Sequence, residues 1–139
     1  MFPVVTAQEM ARIEAWAVER GSNTADFMAK AGEKIAHVAE QFLLAHCTRN
    51  VVLLIGKGNK GGDAYVAGIH LLHKGFCVRA IACEDPSRCS ELNRRFSSAF
   101  IEANGLSEKP ETFDFSRDDL IIDGLLGTGF QGTSINAPF

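Results

Sequence analysis

The chain has 139 residues, of which 46% are hydrophobic and 22% charged, and a formal net charge of −3. That is one domain of ordinary size with enough apolar material for a core, which excludes a disordered tail. The charge offers no basic footprint for nucleic acid, and the longest apolar runs fall far short of the ~20 residues that cross a bilayer.

Polar and charged residues by Thr6, Gln8 and Glu9 leave no signal peptide in view, so a soluble cytoplasmic protein is the expectation. Cys47, Cys77, Cys83 and Cys89 form no Cys-x-x-Cys pair. They are expected to be reduced and structural, with Cys77 and Cys83 as small hydrophobes beside an apolar run.

Thr6 and Glu9 have capping-box spacing, and Met10, Ile13 and Ala17 follow at helical intervals up to a stop at Gly21. A second helix places Phe27, Met28, Ala31, Ile35, Val38 and Phe42 on one face. The period then changes. Val51 to Ile55 is a short apolar run suited to a strand buried on both faces. Gly56 to Asp63 reads as a loop, Ala64 to His73 as a helix ending near Gly75, and Phe76 to Ala82 as a second strand.

Glu84-Asp85-Pro86 breaks the chain, and Ser87 is placed to cap a long helix lined by Cys89, Leu92, Phe96 and Phe100 and stopped by Gly105. Glu111 to Phe115 reads as a short strand, and Asp119 to Asp123 as another, leading into a second glycine-rich loop. This alternation predicts a parallel sheet with right-handed crossovers, preceded by two N-terminal helices. Asn136 to Phe139 resembles the entrance to a further helix, which suggests a fragment.

Two loops carry the candidate chemistry. Gly56 to Asp63 contains Gly-x-Gly-x-x-Gly between a strand and a helix, the context of a dinucleotide fingerprint. Asn59, Lys60 and Asp63 add an amide, an ammonium and a carboxylate among exposed backbone donors at a helix N-terminus. Such glycine density is read as room for close approach of a ligand. The second loop, Gly127-Thr128-Gly129-Phe130-Gln131-Gly132-Thr133, lies beyond the next strand end, so both could face one crevice. Asp123 could bind a cation, act as a base or cap the following turn. Glu84, near the end of the second strand, stands where a ribose-binding acid is expected.

Gly56-x-Gly-Asn-x-Gly-Gly-Asp63, followed by Asp119-Leu-Ile-Ile-Asp-Gly-Leu-Leu-Gly-Thr-Gly129, resembles the NAD(P)H-hydrate epimerase family, the YjeF N-terminal domain. Thr6-Ala7-Gln8-Glu9-Met10 and Met28-x-x-Ala31-Gly32 are similar to that family's opening and second-helix signatures. The resemblance covers nearly all of residues 1–139. It implies a Rossmann-like three-layer α/β/α sandwich and epimerisation of the R and S forms of hydrated NADH and NADPH in cofactor repair.

Carried over by position, the resemblance assigns Asn59, Lys60, Gly61, Gly62, Asp63, Gly127, Thr128, Gly129, Phe130, Gln131, Gly132 and Thr133 to the substrate. Asp123 becomes a potassium ligand, and Asp63 and Asp123 are the candidate proton-transfer groups. Two departures stand out. Lys60 occupies the position of the family's second Asn, a potassium ligand, and an ammonium cannot ligate a cation; pairing of Lys60 with Asp123 is the expected substitute. Ala29 replaces an acid in the second-helix signature.

The family also continues into a strand and an Asp-x-Pro-Ser-Gly segment that lies beyond Phe139, so the domain is expected to be incomplete. The resemblance leaves room for a homodimer and for a dehydratase partner, fused or separate. Two rival readings stand beside it: a non-enzymatic nucleotide-binding or interaction module, and an ordinary NAD-dependent oxidoreductase using Glu84 on the ribose.

Overall fold

The computed structural model describes residues 3–114 and 120–132. Within them the order is α1 Ala7–Glu19, α2 Thr24–Ala45, β1 Asn50–Ile55, α3 Asn59–His73, β2 Cys77–Ala82, α4 Glu91–Glu102, β3 Leu106–Glu108 and β4 Leu120–Gly124. Short 3-10 turns lie at Pro86–Arg88 and Pro110–Thr112. The four strands are all parallel, in the order β3-β2-β1-β4. The chain therefore steps outward from β1 through β2 to β3, then returns to the far side of β1 for β4. Strand order reverses at β1, which leaves a crevice outside the carboxyl ends of β1 and β4.

This is the Rossmann-like α/β arrangement expected from the alternation of elements. Val51, Leu53 and Ile55 of β1, with Val78 and Ala80 of β2, pack against Ala36, Ala39 and Leu43 of α2, Ala64, Ala67 and Leu71 of α3, and Phe100 of α4. On the opposite sheet face, Val52 and Ile81 are also buried, whereas Ile121 of the β4 edge is half exposed. No helix among the described residues is long and apolar enough to cross a membrane.

Local signals placed most elements. The capping box of α1 forms: the Thr6 hydroxyl accepts from the Glu9 N–H at 3.2 Å, and the Glu9 carboxylate accepts from the Thr6 N–H at 2.7 Å. Asn23 caps α2 through the Ala25 N–H.

Four readings need correction. Asn59 to Asp63 is not loop but the opening of α3. Ser90, not Ser87, caps α4, because Pro86 nucleates a separate 3-10 turn capped by Asp85 and Cys89 is extended after it. The strand expected from Glu111 is a 3-10 turn; β3 pairs instead at Leu106–Glu108, and Phe115 lies outside the described residues. Finally, all four cysteines are free, with Cys47 and Cys77 exposed and Cys83 and Cys89 half-buried, so the small-hydrophobe reading fails for Cys77 and fits Cys83 only in part.

The apolar faces also differ from the expectation. In α1 no residue is buried, and Met10, Ile13 and Trp16 stand exposed. In α2 the buried residues are Ala25, Met28, Gly32, Ala36, Ala39 and Leu43, while Val38 is 64% and Phe42 46% exposed. Each exposed residue precedes a buried one, a rotation of about 100° around the helix. Closeness to α3 is the reason. A Cβ on Gly32 would collide with the Val66 side chain, so only the small-residue face of α2 fits there.

Neighbouring apolar residues of α2 should therefore respond in opposite ways to truncation. Leu43→Ala is expected to cost about 2–5 kcal/mol, as for a fully buried leucine. Phe42→Ala is expected to cost less than about 1 kcal/mol despite its larger side chain. Urea denaturation of the two variants checks the order; equal losses would contradict this face assignment.

Candidate functional site

The carboxyl ends of β1 and β4 lie side by side, with Ile55 opposite Gly124 and the Gly56 N–H donating to the Gly124 carbonyl at 3.1 Å. Both glycine-rich segments leave the sheet from this point. Helix α3 begins at Asn59 with Gly58 as its N-cap, and no side chain caps its first N–H groups. A cavity of about 1220 Å³ borders this helix start, and Gly58, Asn59, Lys60 and Asp63 line it. An uncapped helix N-terminus carries partial positive charge and free donors, which suit an anionic oxygen.

The second loop forms the facing wall through Gly127, Thr128, Gly129, Phe130 and Gln131. Glu14, Phe27 and Met28 close another side, and Cys83, Glu84 and Arg88 supply the end of β2. The volume exceeds the ~300–1,000 Å³ typical of drug-sized ligands and suits something as long as a dinucleotide. Of the residues singled out from sequence, Gly61 and Gly62 are buried behind this wall, Gly132 and Asp123 stand outside the lining, and Thr133 lies outside the described residues.

The glycines of the first segment serve packing more than ligand approach. A Cβ on Gly61 would meet the Gly56 carbonyl and the Asn93 amide, and one on Gly62 would meet the Met28 thioether. On Gly56 it would strike the Leu125 backbone. Gly58 and Gly129 alone among the loop glycines have open space around the added atom. The density of glycine here brings α2, α4 and β4 against the start of α3.

Lys60 does not pair with Asp123 as expected. Its ammonium donates to the Asp63 carboxylate at 2.8 Å, within one turn of helix, and its stem lies where a Cβ on Gly127 would be. Asp63 is 7% exposed, so this ammonium offsets much of the cost of holding a carboxyl group at the cavity wall. The exposed Asp123 instead accepts the Leu125 N–H at 2.9 Å, an Asx-type turn that caps the end of β4. Among the described residues there is no group of three His, Cys, Asp or Glu side chains that could hold a metal ion.

At the end of β2, the Asp85 carboxyl is held below its ordinary range by the Ser87 hydroxyl and then the Ser87 N–H. Burial pushes the Cys83 thiol up, and the Glu84 and Glu111 carboxylates add to the effect. Cys89 is raised by burial first and by Glu84 second. Neither thiol is tuned to be a nucleophile. Glu84 forms an ion pair with Arg88 at 3.2 Å.

Sequence reasoning missed Asn93. This side chain, 2% exposed on α4, donates to the Gly56 carbonyl at 2.8 Å and the Gly58 carbonyl at 2.9 Å. A signal was available: Asn93 shares helical spacing with Phe96 and Phe100, which puts an amide in an apolar stripe.

Fold and crevice define an α/β protein of the parallel, ligand-at-switch-point class. A family model described as YjeF-related protein N-terminus matches residues 24–138, and the chain belongs to that family. It is similar to the bifunctional NAD(P)H-hydrate repair enzyme Nnr of Methanopyrus kandleri, at 32% identity over 92% of this chain and 26% of that protein. It is also similar to the NAD(P)H-hydrate epimerase of Rhodobacter capsulatus, at 27% identity over 93% of this chain and 64% of that protein. The crystal structure of yeast ynu0, YNL200c, shares the fold with a TM-score of 0.76 and 23% identity, over 99% of this chain and 61% of the yeast chain. The chain thus spans about a quarter of the bifunctional relative and somewhat under two thirds of the other two.

Two stability outcomes follow from this geometry. Gly61→Ala should cost about 1–3 kcal/mol by overpacking, whereas Gly129→Ala should stay within about 0.5 kcal/mol. Lys60→Met should cost about 1–2 kcal/mol, less than for a fully buried pair because the lysine is half exposed. Adding Asp63→Asn to Lys60→Met should recover part of that loss in a double-mutant cycle; strictly additive losses would mean the pair does not couple.

Proposed function

We propose that the chain binds hydrated NADH or NADPH in the crevice at β1 and β4 and interconverts their R and S forms. The observation that carries this reading is the buried Asp63 carboxylate in the wall of a cavity formed by both glycine-rich segments. Membership of the YjeF-related family and similarity to proteins named as NAD(P)H-hydrate epimerases support it.

The cavity's parts divide the task. The uncapped start of α3, with the Asn59 amide and the Lys60 ammonium, takes substrate phosphate, where free donors and positive charge coincide. Gly127 to Gln131 line the other side, and Gly61 and Gly62 shape the segment from behind. Epimerisation inverts a hydroxyl-bearing carbon beside a ring nitrogen. Protonating the departing hydroxyl releases water and leaves a planar carbon; re-addition of water on the opposite face returns the proton, with no net change in composition. With the Lys60 ammonium drawn from Asp63 to the substrate phosphate, the Asp63 carboxylate takes up a proton from solvent, gives it to the departing hydroxyl and takes it back from the re-adding water. Asp123, committed to the Leu125 N–H, is the weaker candidate.

Potassium fits these residues poorly. Asp123 offers a single carboxylate, and the neighbouring position that would supply an amide oxygen carries the Lys60 ammonium. No step is routed through the ion. Because several relatives are named as bifunctional repair enzymes, we place this activity ahead of a dehydratase, fused or separate, that removes the water.

The assay follows the decay of one isolated epimer of hydrated NADH by chromatography. Wild-type protein is expected to speed equilibration, and Asp63→Asn to lower kcat by about a hundredfold or more. ADP-ribose should raise the Tm of both proteins, since it lacks the reacting ring. Full turnover by Asp63→Asn would remove Asp63 from the reaction; a Tm shift without turnover in wild type would reduce the chain to a binding module.

A further inference from the structure

Three consecutive carbonyls of the glycine-rich turn, Gly56, Lys57 and Gly58, are all held by the start of α4. The Asn93 amide donates to the first at 2.8 Å and the third at 2.9 Å. The Ser90 backbone N–H donates to the second at 2.9 Å. The Ser90 hydroxyl also donates to the Asn59 side-chain oxygen at 3.0 Å. A Cβ on Gly61 would strike the Asn93 amide, so the glycine and the asparagine are matched to each other.

We infer that Asn93, with Ser90, is the positioning element of the substrate site: it holds the loop carbonyls toward α4 and away from the cavity. A glycine-rich turn can flip its peptide planes, and a carbonyl facing the cavity would repel a phosphate. The buried Asn93 amide opposes that at both carbonyls, sharing the Gly58 carbonyl with the Gly61 N–H of α3 at 3.1 Å. A helix-capping residue would need only one bond to its own helix, and Ser90 already makes it through the Asn93 N–H. The asparagine side chain therefore acts on the loop, through which it acts on the ligand. This inference rests on the nucleotide-binding reading above, which names the ligand.

Two variants of Asn93 test it. Asn93→Leu removes both donors at similar volume; the 57–61 amides are expected to exchange with deuterium about tenfold faster, while the β1 amides keep their wild-type rates. Affinity for ADP-ribose should fall about tenfold or more by titration. Asn93→Asp sets a carboxylate against two carbonyls, and its buried carboxyl regains one O–H donor on protonation. Its ADP-ribose affinity should be weakest near about pH 8 and recover toward about pH 5, a recovery absent from Asn93→Leu.

Should either variant fail to fold, Ser90→Pro removes the backbone donor to Lys57 together with the hydroxyl bonds to Asn59 and the Asn93 N–H. Ser90→Ala, which keeps the backbone donor, separates the two effects. Proline is compatible there, because Ser90 has φ −61° and Cys89 before it is extended. Its 57–61 amides should also exchange faster. Unchanged loop exchange in the folded variants, or Asn93→Asp affinity with the wild-type pH profile, overturns the inference. Wild-type protein that binds no ADP-ribose overturns the nucleotide reading instead, and loop exchange still decides the role of Asn93.

Discussion

Helix α3 can lie where it does only because Gly61, Gly62 and Gly68 carry no Cβ. At Gly61 an added carbon would meet the Gly56 carbonyl and Asn93, at Gly62 the Met28 side chain, and at Gly68 Leu53 and Phe100. Gly32 makes the same allowance from α2, against Val66. With these contacts α3 packs on α2, α4 and the central strand at once, and its first turns become part of the core. Asp63 is buried for this reason.

The second constraint is topological. β1 has β2 on one side and β4 on the other, so the segments leaving β1 and β4 share a boundary. Neither forms the cavity alone. Contact between the Lys60 stem and Gly127 ties them together, and the same side chain carries its charge to Asp63. One residue thereby links backbone packing on one side of the crevice to the charge of the buried acid on the other. A long, flexible side chain can do both, because its methylenes and its ammonium act in different places.

The chain belongs to the YjeF-related family, yet its own residues give the site a local character. Lys60 answers the buried carboxylate with a covalently tethered cation. The start of α4 occupies the carbonyls of the glycine turn, so that the donors and not the acceptors of that turn are left for a ligand. Polarity of the crevice is thus set from behind its wall as much as from its surface.

How much of this was legible beforehand depends on the range of the interaction. Caps at Thr6 and Glu9, the buried run at Val51–Ile55 and the strand–glycine–helix order rest on neighbours within a few positions, and the sequence determined them. It also determined the family, through the two glycine-rich motifs together. Residues far apart in the chain decided the rest. Only packing against α3 selected the small-residue face of α2 over the one bearing Val38 and Phe42. The pairing of Lys60 with Asp63 and not Asp123 is local by contrast, an i,i+3 contact that follows once Asn59 to Asp63 is helix. Asn93 read as one polar residue in an amphipathic helix until α4 was folded across the loop, 37 and 35 positions from the carbonyls it holds. Periodicity records which residues share a face; it holds no record of which distant backbone that face will meet.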